Sequence, residues 1–220
     1  MNKEWSEKNK KMQTQIGKKD SFAEGIKTLL ELRSELFSRI TDIVNTYPDE
    51  AFYQMPFLGA DGYHSKTIAY SMWHIFRIED IVANTLIRQE DQILFSQDWL
   101  KKTGSPIITT GNELQGLEIA EFSKKLDVKA VHEYCRAVLE SSNELLRGLE
   151  YTDLKKKYTD EDKKRLIDSH CVSTDENAFW LIDYWCGKDI RGLIKMPFSR
   201  HHIMHIEAMC RITGKLDPKK

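Results

Sequence analysis

What this 220-residue chain lacks first is an imbalance of charge: 33 Lys and Arg stand against 34 Asp and Glu, a formal net of −1. No global field recruits nucleic acid or an anionic membrane, so neither is expected as a partner. Long apolar runs are missing as well, and none approaches the roughly 18 residues that a bilayer span requires. The opening MNKEWSEKNKKMQTQIGKKD has lysines but no apolar segment behind them, so it is not expected to act as a secretory signal. Cysteines are few and scattered (Cys135, Cys171, Cys186 and Cys210), with no Cys-x-x-Cys pair. They read as reduced, mostly buried thiols of a cytoplasmic protein. There is no His-Glu-x-x-His, which removes the usual metalloprotease helix. No histidine has a Glu three residues before it, which removes a ferritin-like di-metal centre. A Gly-rich phosphate cradle, an internal repeat and a convincing alternating strand are absent too.

What remains is helical periodicity. Residues 1–19 are polar and Lys-rich and read as a loosely ordered, partly helical lead-in. Ser21 and Glu24 have capping-box spacing, and behind them Ile26, Leu29, Leu30, Leu36, Phe37, Ile40, Ile43 and Val44 recur every three or four residues. Pro48 closes that helix, because the residue before a proline avoids the helical region. A loop with Gly59 and Gly62 leads to a second helix near 65–89, with Ile68, Met72, Ile75, Ile78, Val82 and Leu86 as its buried stripe. Between 91 and 126 the period decays, which predicts a crossover holding short helical pieces. Asp127 caps a third helix over 127–148. The charged stretch 150–170 predicts one short surface helix. Ser173 and Glu176 again have capping-box spacing, ahead of an aromatic helix carrying Phe179, Trp180, Tyr184 and Trp185. That helix suits core packing, a substrate mouth or a dimer contact, core packing being the first expectation. The last helix starts at Pro197, which suits a first turn, and Gly214 offers a stop. The expectation is all-α: a bundle around helices at 21–46, 65–89, 127–148 and 197–213, in one domain over 20–214 with a tail at 215–220.

Seven histidines are present. His64, His132 and His170 read as solvated or capping groups. His74 lies on the edge of the second helix's stripe. His201, His202 and His205 fall within one turn of the last helix, and neutral imidazoles there are costly unless something uses their lone pairs. A one-turn pair with one histidine from a neighbouring helix gives three nitrogens and leaves a coordination position open, as in catalytic metal sites. Spacing selects His205 and one neighbour. His201 stands four residues away on the same side, whereas His202 lies more directly opposite Arg200, Glu207 and Arg211, so both stay open. Glu79 falls near the buried stripe, where it can accept from an imidazole N–H or pair with Arg77. Cys210 has no evident activating base.

The stretch Ser71-Met72-Trp73-His74, followed by Glu79-Asp80, resembles the helix-two signature of the DinB/YfiT-like proteins. His201-x-x-x-His205 is similar to their C-terminal His-x-x-x-His, and the likeness in layout spans residues 20–214. The resemblance implies an up-down-down-up four-helix bundle with a long crossover between helices two and three. It also implies a divalent metal, nickel or zinc, on His74, His201 and His205, with His202 left as the alternative ligand. Ile206-Glu207 departs from the small residues often seen after the last histidine, and the segment 150–190 exceeds compact members.

For some relatives, the resemblance implies thiol-dependent transfer or isomerisation using bacillithiol, mycothiol or a similar low-molecular-weight thiol. Two functional classes follow. One is a metal-dependent S-transferase or hydrolase acting on a small electrophilic molecule. The other is a metal-holding bundle with a binding or scaffold role. A monomer or homodimer is expected in either case.

Overall fold

A computed structural model describes residues 2–216. Helices follow one another throughout: α1 (Lys3–Ile16), α2 (Phe22–Thr46), α3 (Ile68–Asp80, continued by a π-helical stretch Ile81–Arg88), α4 (Trp99–Thr103) and α5 (Glu118–Lys124). Then come α6 (Val128–Gly148), α7 (Asp160–Asp168), α8 (Glu176–Cys186), α9 (Ile190–Lys195), a π-helical turn Met196–Arg200, and α10 (His201–Leu216). Among the described residues there is no strand, and no helix is long and apolar enough to cross a membrane.

The long helices α2, α3, α6 and α10 form the centre, with α3 and α2 each packed against both α6 and α10. Cross-contacts fix their relative directions. Arg33 meets Glu79 and Phe37 meets Phe76, so α2 and α3 run antiparallel. Cys135 lies against Met72 and Ser141 against Asn84, so α3 and α6 run parallel. His74 faces His205 while Phe76 faces His202, so α3 and α10 run antiparallel. Asp127 caps α6 as its position predicts, accepting from the Ala130 N–H at 2.9 Å.

Several local expectations are corrected. The lead-in is a formed helix: α1 folds back antiparallel on α2 and buries Met12 and Ile16 completely. Gly25 makes this possible, since a Cβ there would stand 2.6 Å from Ile16 Cγ2 and 2.7 Å from its backbone nitrogen. Ser21 does not cap α2; its hydroxyl donates instead to the Gln15 carbonyl, tying the α1–α2 corner. Asp175, not Ser173, caps α8. Gly214 does not stop α10, which runs to Leu216; the rest of the expected tail, 217–220, lies outside the described residues. The aromatic helix α8 packs on α7, burying Trp185 while leaving Trp180 about half exposed.

The second helix differs most from its reading. His74 was expected at the edge of an apolar stripe, but every residue of α3 is buried. The reason is the crossover. Its segment 108–111 runs antiparallel along α3, and four side chains of α3 donate to its carbonyls in turn. Arg77 bonds Ile108 O, the Trp73 indole bonds Thr109 O, His74 Nδ1 bonds Thr110 O and the Tyr70 hydroxyl bonds Gly111 O. The start of the crossover is fastened by Asp80, which accepts from the N–H groups of Ile93 and Leu94. Gly111 has φ +78°, a left-handed conformation that costs a glycine little.

Candidate metal centre

Two helices, α3 and α10, bring three imidazoles together. His74 stands on α3, and its Nδ1 lies 2.9 Å from the Thr110 carbonyl. A carbonyl only accepts, so Nδ1 carries the proton and Nε2 of the neutral ring is a bare lone pair. That Nε2 lies 3.2 Å from Nε2 of His201. His205, one turn further along α10, completes the group: one nitrogen from each ring lies within 4.8 Å of the other two. The ring centroids are 5.0, 4.8 and 4.7 Å apart, and the rings meet edge-on or tilted.

Burial sets the charge state. All three side chains are less than a tenth exposed. Burial pushes the His74 imidazole down to about 4, with the Lys66 ammonium adding to the effect and the Thr110 bond opposing it. His201 and His205 are also held well below the usual histidine range, by burial first and then by their neighbouring imidazoles. All three are therefore neutral at pH 7, the state in which imidazole binds a cation. Nδ1 of His201 and of His205 are buried without a hydrogen-bond partner.

A zinc-like ion sits about 2.0–2.1 Å from each imidazole nitrogen, which places two tetrahedral ligands about 3.3 Å apart. The 3.2 Å between the His74 and His201 nitrogens fits that spacing. Three buried histidines thus lie close enough to hold one metal ion, with three protein donors and a position left over.

His202 points elsewhere. Its ring meets Phe76 edge-on, and its Nε2 lies 2.7 Å from Glu79 Oε2, close but off the line of a good hydrogen bond. Glu79 does not pair with Arg77, which pairs with Asp80 at 2.9 Å. Its partner is Arg33, whose guanidinium spans both carboxylate oxygens at 2.9 and 2.6 Å, while Ser142 donates to Oε1. Burial pushes the Glu79 carboxyl up, yet Arg33 and His202 outweigh it and hold it near 2. Glu79 therefore does meet an imidazole, but that of His202 rather than one of the converging three.

Arg33 also donates to the Phe198 carbonyl at 3.0 Å. Phe198 belongs to the π-helical turn that enters α10, where a widened turn frees a carbonyl from its usual partner. Arg33 thereby fixes the entry to the histidine helix. Sequence reasoning passed over Arg33 although a signal existed: it stands between Leu29 and Leu36 on the apolar face of α2, where an unpartnered cation would not be tolerated. Thr110 left no such trace, because it acts through its backbone. His132 is buried rather than solvated, stacked on Phe37 and 2.9 Å from the Thr41 hydroxyl. His64 lies on Tyr63 and against Arg211, and His170 is exposed in a left-handed turn. The four cysteines are free, and Cys210 accepts from Arg39 at 3.3 Å. No protein-family model and no curated protein matches this chain.

Proposed function

We propose that the chain is a divalent-metal-dependent enzyme with His74, His201 and His205 as protein ligands, nickel or zinc as the ion, and a small electrophilic molecule as substrate. The observation that carries this reading is the 3.2 Å approach of two imidazole nitrogens with a third histidine closing the triangle. A shared proton would satisfy two of those nitrogens; a cation satisfies three. The helix directions, with α2 and α10 opposed to α3 and α6, support an up-down-down-up bundle of the DinB/YfiT kind, as does the crossover between α3 and α6.

A cation held by neutral imidazoles keeps its full charge and supplies Lewis acidity, lowering the pKa of a thiol or water that reaches it. The chain's own residues do the rest. Thr110 holds His74 in the tautomer whose Nε2 faces inward, and Arg33 anchors the turn from which His201 springs. The buried walls around the triangle keep bulk water from competing. Such a site would suit a thiol-dependent S-transfer in a cytoplasmic setting, in which the sulfur of a bacillithiol- or mycothiol-type cosubstrate would bond to the electrophilic carbon while a leaving group departs with its electron pair and the thiol proton passes to solvent; with water in place of the thiol the site would be a hydrolase. The depth of the histidines favours one alternative, a bundle that holds metal for binding or scaffolding without turnover.

Elemental analysis of untagged protein, followed by consumption of a generic electrophile with and without a small thiol, tests all of this. One nickel or zinc per chain and thiol-dependent turnover abolished by chelation are expected. Metal without turnover moves the conclusion to the alternative. No metal at neutral pH, in protein never exposed to acid or chelator, sinks both.

A further inference from the structure

The histidine triangle has two unlike sides. On the His201 side lie His202 and Glu79, both buried, with Glu79 already committed to Arg33 and Ser142 and His202 turned to Glu79. On the His74 and His205 side lie Tyr63, 5.8 Å from His205, and Tyr70, stacked on His74 at 5.3 Å. Residues 63–66, just ahead of α3, are only half-buried there, so this is the more exposed of the two sides. The same side carries two cations, Arg211, held against His64 at 2.8 Å, and Lys66. Lys66 places its ammonium over the Tyr70 ring, 4.9 Å from the centroid, and its field reaches both His74 and His205. Among the described residues no carboxylate pairs with it. The acid nearest Tyr70, Glu113, gives Oε1 to the Thr109 hydroxyl, and its Oε2 is buried without a hydrogen-bond partner and forms no ion pair with Lys66.

We propose that Lys66 is the anion-recognising residue of this site: its ammonium takes a carboxylate carried by the small ligand whose donor atom reaches the position left open by His74, His201 and His205. This rests on the metal reading above and narrows it to ligands that combine a metal-seeking atom with a nearby negative charge. A half-buried, unpaired ammonium repels a second cation, leaves a neutral ligand indifferent and rewards an anion. Its seat on an aromatic face holds the charge in place before any ligand arrives. A lysine that merely covered Tyr70 with its stem would give no such discrimination.

The full chain loaded with cobalt(II) is titrated with mercaptoacetate and with mercaptoacetamide, which share a thiol and differ in the carboxylate. Binding is followed by calorimetry and by the visible spectrum of the cobalt. Wild type is expected to favour mercaptoacetate. Lys66→Met should cut that preference about tenfold while cobalt stoichiometry stays at one per chain, and Lys66→Arg should restore most of it. A preference unchanged in Lys66→Met, an equal loss of both probes, or no preference in wild type overturns the proposal. Because the wild-type comparison stands alone, a variant that fails to fold does not rescue it. Cobalt bound at one per chain without carboxylate preference defeats Lys66 alone; no cobalt uptake defeats the metal reading and Lys66 with it.

Discussion

Two clusters of buried polar groups share α3 and α10, and they are built on opposite rules. In one, Arg33, Glu79, Ser142 and His202 surround one another, and the guanidinium is met by carboxylate, hydroxyl and backbone carbonyl. In the other, His74, His201 and His205 present nitrogens only to each other, those of His74 and His201 at 3.2 Å, and two further ring nitrogens go without partners. The first cluster balances its charges, and only His202 Nε2 in it lacks a well-directed hydrogen bond. The second is complete only with something added. Neighbouring residues, His201 and His202, thus belong to different kinds of chemistry, and what separates them is which polar groups the opposing helix offers.

The comparison breaks most visibly if the charge-balanced cluster is opened. Arg33→Met leaves the Glu79 charge buried with only His202 and Ser142, so urea denaturation should show a loss of about 3–5 kcal/mol. A loss below about 1 kcal/mol would mean that Glu79 simply takes up a proton and the cluster is not held by charge. Next comes the ligand contrast. His205→Ala should weaken metal binding more than about 100-fold, beyond the 10–100-fold typical of outer partners. His202→Ala should retain most of the metal while lowering stability; equal metal loss in both would erase the distinction between the clusters.

Acid sharpens the comparison further. The folded His74 value, about 4, lies below that of the unfolded chain, about 6.5, so the unfolded state takes up protons first as pH falls. In the metal-free protein His74 alone should take away about 2–3 kcal/mol between about pH 6.5 and pH 4, with His201 and His205 adding to the loss in the same direction. His74→Gln should make that slope shallower without removing it. Glu79, depressed to about 2, should contribute nothing until lower pH, losing its stabilisation below about 4.5. The smallest effect is expected at the strap. Gly111→Ala imposes a left-handed φ on alanine and puts a Cβ 3.0 Å from the Tyr70 ring, which should cost about 1–2 kcal/mol. Thermal melts that leave Gly111→Ala at the wild-type midpoint would show the strap to be looser than its bonds imply.

Much of this was legible in the residues, and the failures have physical causes. Sustained apolar periods located α2, α3, α6 and α10, since a helix that buries a stripe must repeat it. A one-turn pair on α10 seeking a third histidine was readable from spacing, while the choice of His74 and His201 came from the family resemblance. Periodicity could not choose between His201 and His202, because α10 is buried by α2 on one flank and α3 on another and has no single inward face. The helix α1 escaped notice because two buried apolar residues in a lysine-rich stretch carry little amphipathic signal. Capping-box spacing misled at Ser21 and Ser173, where each hydroxyl found a nearer backbone partner.

The strap over α3 is read through its main chain, four carbonyls against Arg77, Trp73, His74 and Tyr70. Such recognition counts residues more than it names them. Substitutions at Ile108, Thr109 or Thr110 leave the carbonyl ladder where it is, so the spelling of this segment is free to drift over generations. Its length is not. One residue inserted between 108 and 111 slides the ladder out of step and turns the oxygen that holds His74 away from it. In this molecule the constraint on the candidate metal centre is written partly as a distance along the chain, in a loop whose letters would look dispensable.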